Sequence, residues 1–134
     1  MSVTRKVLAA DDEPDIIRLI QIVLKKHGYE VITAADGKEA LEKAASEQPD
    51  LILLDVMMPH LDGFEVLEQL RASGVTDTVP VIMLTAKRHD ADIFAGWRAG
   101  AEYYLTKPFN PAELASVVQE ALEAADGRDP DVQP

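Results

Sequence analysis

Apolar and polar positions along this chain follow two alternating rhythms. Lys6-Val7-Leu8-Ala9-Ala10 is a short apolar run, and residues 15–27 then carry Ile16, Ile17, Leu19, Ile20, Val23 and Leu24 at helical spacing. Gly28 is the expected helix stop. The pattern repeats: a strand at Glu30–Ala34, then a helix over Gly37–Glu47 with Ala40, Leu41, Ala44 and Ala45 inward and Pro49 closing it. Asp50–Asp55 holds Leu51-Ile52-Leu53-Leu54, the unbroken aliphatic run of a parallel strand buried on both faces. Gly63–Ser73 reads as a helix through Phe64, Val66, Leu67 and Leu70, and Val81–Leu84 as a strand opened by Pro80. A helix over His89–Ala99, a strand over Ala101–Leu105 and a helix over Pro111–Ala125 complete the series.

Five strand–helix units predict a parallel sheet covered by helices on both faces. The expected fold is α/β, a flavodoxin-like three-layer sandwich with strand order 2-1-3-4-5. Such sheets bind ligands beyond the carboxyl ends of the strands, where the strand order reverses. That rule brings the ends of the first and third strands together, and those ends are Asp11-Asp12 and Asp55. Residues 1–125 are expected to form one domain, and the polar, proline-containing stretch 126–134 a frayed tail.

Composition narrows the classes. With 134 residues the chain suits a single core, and 47% apolar with 28% charged residues is ordinary for a globular protein. A net charge of −11 argues against a direct nucleic-acid surface, which recruits Lys and Arg clusters. No stretch is long and apolar enough for a membrane span, and the N-terminus lacks the apolar core of a signal peptide. The absence of cysteine excludes disulfides and thiolate metal sites. A cytoplasmic location is the expectation.

Each strand that ends at the predicted reversal edge brings a chemically useful group. Asp11, Asp12 and Glu13 can serve the dipole of the first helix, one as its cap with Pro14 in the first turn. Asp11 and Asp12 can equally offer oxygens to a hard cation, and Mg²⁺ prefers one or two carboxylates plus waters and phosphate oxygens. Asp55 has a bland reading as a loop or cap residue. A carboxylate closing four aliphatics beside two others is nevertheless a liability without a cation. Chemically it can attack phosphorus and hold the group as an acyl phosphate. Thr85, ordinary by strand propensity, has a hydroxyl suited to a phosphoryl oxygen. Lys107 is either a snorkelling surface lysine or a point charge for a carboxylate at rest and a phosphate when modified.

On these residues the chain resembles a receiver domain of two-component response regulators, similar to the single-domain chemotaxis regulator. The matching motifs are Asp11-Asp12-Glu13-Pro14, Asp55-Val56-Met57-Met58-Pro59 with Asp62-Gly63, Thr85-Ala86, and Tyr104-Leu105-Thr106-Lys107-Pro108-Phe109, in order from residue 5 to about residue 125. The resemblance implies that Asp55 is the phosphoacceptor, with Thr85 and Lys107 holding the phosphoryl oxygens. It implies Mg²⁺ on Asp12 and Asp55, on Asp11 mostly through water, and on the Met57 backbone carbonyl. It also implies a cis Lys107–Pro108 bond and a switch in which Thr85 and Tyr104 move together. A histidine kinase or phosphotransfer protein would be the donor, and an output protein the receiver of the signal.

Ile93 and Trp97 lie one helical turn apart, and with Ala101 and Tyr104 they define an expected partner face on the 89–99 helix, the fifth strand and the last helix. A docking or homodimer contact there is the expectation; the alternative is that Trp97 only packs. Met57 and Lys87 flank the place where water would attack the phosphate in this family, and neither suits a general base, so slow self-dephosphorylation is expected. Other classes fit worse. A haloacid-dehalogenase-type phosphatase needs a second Asp where Met57 stands, and both the glycine-rich dinucleotide turn and the Gly-x-x-x-x-Gly-Lys loop are absent. The remaining alternatives are a receiver cut from a larger regulator with a separate output domain and a phosphorylation-independent adaptor. Enzymatic turnover of an external substrate is not expected.

Overall fold

The computed structural model describes residues 4–86 and 102–127. The expected 89–99 helix, with Ile93 and Trp97, lies outside the described residues, as do Lys87 and Ala101. Five parallel strands, β1 (Lys6–Ala10), β2 (Glu30–Ala34), β3 (Leu51–Asp55), β4 (Val81–Ala86) and β5 (Tyr103–Lys107), form one sheet in the order β2-β1-β3-β4-β5. The helices are α1 (Pro14–Lys26), α2 (Gly37–Glu47), α3 (Gly63–Ala72) and α4 (Pro111–Asp126), with a 3₁₀ turn at Val75–Asp77.

Strand alternation divides the core into two layers. Val7, Ala9, Leu51, Leu53, Ile82, Leu84 and Leu105 face α1 and α4, where they meet Ile20, Leu24, Leu114 and Val118. Leu8, Ala10, Ile52, Leu54, Val81 and Met83 face α2 and α3, against Ala40, Ala44, Val66 and Leu70. The continuous aliphatic run of β3 follows from this, since all five of its residues are buried. Ala9 and Ala10 are less bulky than a β-branched pair, yet both are fully buried.

Local signals explain where the helices begin. Asp62 and Glu65 form a reciprocal capping box on α3, and Asn110 and Glu113 form another on α4. Asp36 caps α2 by accepting from the Glu39 amide at 2.8 Å. Gly28, at φ +88°, ends α1 in the left-handed conformation that a Cβ disfavours.

Three expectations shift. The residue at the cap position of α1 is Glu13, and its side chain makes no capping hydrogen bond, although Pro14 does occupy the first turn. The fifth strand spans Tyr103–Lys107 rather than 101–105, because it pairs with β4 from Ile82↔Tyr103 through Ala86↔Lys107. β4 likewise runs on to Ala86. This longer pairing puts Thr85 and Lys107 inside the strands at their carboxyl ends, where backbone bonds hold them. At the opposite edge of the sheet, Arg5 grips Asp126, the last residue of α4, with contacts of 2.6 and 2.7 Å. Among the described residues no helix is long and apolar enough to cross a membrane.

Candidate functional site

Three strand ends converge on one ammonium. Beyond β1, the Asp11 amide donates to Ala34 O at 3.0 Å, so Asp11 stays tied to β2. Its side chain is fully buried, and Oδ1 accepts from the Glu13 amide at 2.9 Å. Asp55 closes β3 at 4% exposure, and the chain after it is held by the Val56 amide donating to Leu84 O at 3.0 Å. Asp55 Oδ1 accepts from the Met57 amide at 3.2 Å. Lys107, at the end of β5, places Nζ 2.7 Å from Asp11 Oδ2, 2.8 Å from Glu13 Oε1 and 3.3 Å from Asp55 Oδ2. The Lys107–Pro108 peptide is cis.

The electrostatics follow from burial. Removal from water, reinforced by the Asp11 charge, raises the Asp55 carboxyl to about 7, against the opposing pull of Lys107. Burial disfavours the Lys107 ammonium, but hydrogen bonds to Asp11 and Glu13 and the charges of Asp55 and Asp11 outweigh that penalty and raise its pKa. One cation is therefore shared by three carboxyl groups.

The donor set fits a hard divalent cation. Asp11, Asp12, Glu13 and Asp55 each offer an oxygen, and these oxygens lie within 4.8 Å of one another. Asp11 Oδ2 is buried, and the Lys107 ammonium stands 2.7 Å from it. An all-oxygen, partly open carboxylate cluster suits Mg²⁺ better than a soft metal. A cavity of about 230 Å³ opens beside Asp11 and Asp12 toward β2, with Lys43 at its rim. A larger depression of about 510 Å³, lined by Arg5, Asp50 and Asp126, lies at the other edge of the sheet, away from this cluster.

Thr85 is buried at 1% exposure, and its hydroxyl donates to Ala86 O at 3.3 Å. Thr85 pairs with Thr106, two positions beyond Tyr104, so Thr85 and Tyr104 share a face of the sheet. Tyr104 is half-buried against the α2–α3 layer and Tyr103 against the other, as strand alternation requires. Burial pushes the Tyr104 hydroxyl up to about 12. The Met57 side chain is 70% exposed. Of the expected partner face only Tyr104 falls within the described residues.

Sequence reasoning noted Glu13 as a motif member but gave it no place in the site. Its sole signal is adjacency to Asp11-Asp12, and its ion pair spans 94 residues. Gly37 entered only as the start of a helix and Gly63 only as part of the Asp62-Gly63 motif, although each follows a capping Asp.

The model for the response regulator receiver domain matches residues 7–119. Over 122 residues the chain is 48% identical to the alkaline phosphatase synthesis transcriptional regulatory protein PhoP of Bacillus subtilis (strain 168), covering 91% of this chain and 50% of that protein. The chain spans about half the length of the curated relatives it matches. Among solved structures, the chemotaxis response regulator CheY4 of Vibrio cholerae is similar at TM-score 0.84 and 39% identity, covering 89% of this chain and 99% of that one. The receiver domain of the Francisella response regulator 1452 is similar at TM-score 0.82 and 36% identity, covering 90% and 98%. With its parallel 2-1-3-4-5 sheet, and with the family's model matched over most of its length, this chain belongs to the response regulator receiver domains.

Proposed function

We propose that this receiver works as a phosphoacceptor switch, with Asp55 as the residue that takes the phosphoryl group. The observation that carries the reading is the Lys107 ammonium shared among Asp11, Glu13 and Asp55 at the carboxyl edge of the sheet. An Asp55 carboxylate oxygen attacks phosphorus. As the P–O bond to the carboxylate forms, the bond to the donor's leaving group breaks, and the donor keeps that electron pair. The donor is a phosphohistidine of a sensor kinase or phosphotransfer protein, or a small acyl phosphate.

Asp11, Asp12, Asp55 and the Met57 carbonyl are the groups that would hold Mg²⁺. When bound, it offsets charge on the phosphoryl oxygens and favours the ionised form of Asp55. The Met57 amide fixes the orientation of Asp55. Lys107 needs no large movement to meet a phosphoryl oxygen, since it already stands 3.3 Å from Asp55 Oδ2. The Thr85 hydroxyl makes a long bond to Ala86 O, which is cheap to exchange for one to a phosphoryl oxygen. That exchange, with Tyr104 on the same face, biases the domain between two states that a partner can tell apart.

In this reading the chain modifies only itself and turns over no external substrate. The cytoplasm is the compartment it implies. A second reading is favoured by the half-length match to proteins named as transcriptional regulators: the receiver governs a separate output domain, which carries any nucleic-acid binding.

Intact mass after incubation with Mg²⁺ and acetyl phosphate tests the assignment. One added phosphoryl group is expected, absent in Asp55→Ala and absent without Mg²⁺. If acetyl phosphate fails, a phosphorylated histidine kinase is the second donor. Failure with both donors would favour the phosphorylation-independent adaptor.

A further inference from the structure

Two capped helices close onto one short segment. Gly37 follows the cap Asp36 and Gly63 follows the cap Asp62, so each is the first residue of its helix. A Cβ on Gly63 would fall 2.3 Å from Asp55 O and 2.9 Å from Val56 Cα. A Cβ on Gly37 would fall 2.4 Å from Leu61 O, 2.7 Å from Leu61 Cβ and 2.9 Å from Val66 Cγ2. The 56–62 segment is therefore held at its beginning by α3 and at its end by α2. Met57, whose amide orients Asp55, lies between these two points.

The two sides of the Gly37 contact differ in how readily they yield. On the helix side, the Glu39 amide donates to Asp36 Oδ1 at 2.8 Å, and the Ala35 amide donates to Glu39 Oε1 at 2.6 Å. Ala40 and Ala44 seat the same helix in the core. Val66, the third neighbour, is fully buried in α3. The ends of the 56–62 segment are fixed, by the Val56 amide donating to Leu84 O at 3.0 Å and by the Asp62 capping box, but residues 57–61 between them have lighter ties: Leu61 N to Pro59 O at 2.9 Å and the Met57 bond to Asp55. A methyl group at position 37 must displace something, because close-packed interiors hold no spare space for it. The segment moves before the helix does.

We infer that Gly37 is a positioning residue for the 56–62 segment, and through that segment for Met57 and the acceptor carboxylate. The metal-binding consequence rests on the function proposed above; the displacement of the segment does not.

The test uses the whole chain as wild type, Gly37→Ala and Ala44→Gly. The last is a control that destabilises the same helix about two turns beyond position 37. In metal-free protein, Gly37→Ala is expected to shift the backbone amide resonances of Met57, Met58 and Leu61. A Mg²⁺ titration followed by the same resonances is expected to show affinity about tenfold weaker. Ala44→Gly is expected to lower the melting temperature and change neither readout. Unmoved 57–61 amides in Gly37→Ala, or equal effects from Ala44→Gly, would overturn the inference. Should Gly37→Ala not fold, Leu61→Gly removes the Leu61 Cβ from the contact while its carbonyl stays beside Gly37. Faster amide exchange across 57–61 is then expected, and unchanged exchange would overturn the inference. A wild-type protein that binds no Mg²⁺ would count against the proposed function, while the metal-free spectra would still decide the role of Gly37.

Discussion

The Lys107 ammonium lies closer to Asp11 Oδ2, at 2.7 Å, than to Asp55 Oδ2, at 3.3 Å. At rest the site's cation thus serves the acid at the end of β1 at least as much as the proposed acceptor. Asp11 has no exposed surface and Lys107 keeps 14%, so the pair is a buried one in which each charge depends on the other.

Replacing Lys107 with Ala is accordingly expected to cost about 3 kcal/mol of stability at neutral pH without divalent ions, near the low end for a broken buried pair. Mg²⁺ at saturating concentration should recover much of that loss, because a ligand that binds only the folded state stabilises it. Thermal melts with and without Mg²⁺ check both parts. A loss that Mg²⁺ does not relieve would speak against the acidic cluster as a metal site.

The Asp55 carboxyl, raised from 3.8 to about 7 by burial and by Asp11, makes stability fall as pH rises. The folded protein holds a proton that the unfolded chain releases above about pH 4. The contribution is therefore full below 3.8 and is lost as pH passes through about 7. Asp55→Asn, which cannot ionise, is expected to be more stable than wild type at pH 8 in chelator, with the advantage shrinking toward pH 4. Urea midpoints across that range measure it, and added Mg²⁺ should narrow the gap.

His60 at φ 72° and Gln48 at φ 49° sit in the left-handed region without being glycine. The Cβ of an L residue there costs about 1 kcal/mol or more, partly offset by the greater unfolded-state entropy of Gly. His60→Gly and Gln48→Gly are each expected to raise stability by roughly 0.5–1 kcal/mol, read from denaturant midpoints at constant slope. Gln48 ends α2, a place where Gly is common for this reason.

Met57 brings only a thioether next to the acceptor, and its side chain is largely in solvent. With no general base at that position, the phosphorylated form is expected to outlast a timescale of seconds. Met57→Asn adds an amide that can orient water and should hasten decay several-fold. Intact-mass time courses after removal of the donor would show it, and a wild-type lifetime of seconds would contradict the expectation.

The elements of the described residues were largely legible. The aliphatic run before Asp55 announced a doubly buried strand, whereas the caps Asp36, Asp62 and Asn110 emerged with the structure. The start of β5 was not legible, because Ala101-Glu102-Tyr103 carries no local mark that separates loop from strand and the register with β4 set the bounds. Glu13 read as helix-start chemistry, yet its carboxylate faces Lys107 from a distant part of the chain.

By itself, then, the sequence determined the order and type of the described strands and helices, though not the bounds of β4 and β5, and which side chains are able to bind a cation or accept a phosphoryl group. Periodicity, capping and side-chain chemistry act over a few neighbouring residues, so one chain carries them in full. The tertiary structure alone decided that Lys107 is shared by three carboxylates, that burial lifts Asp55, and that Gly37 and Gly63 abut the 56–62 segment. Those depend on the register and close approach of elements far apart in the chain, where tenths of an ångström settle charge balance and packing.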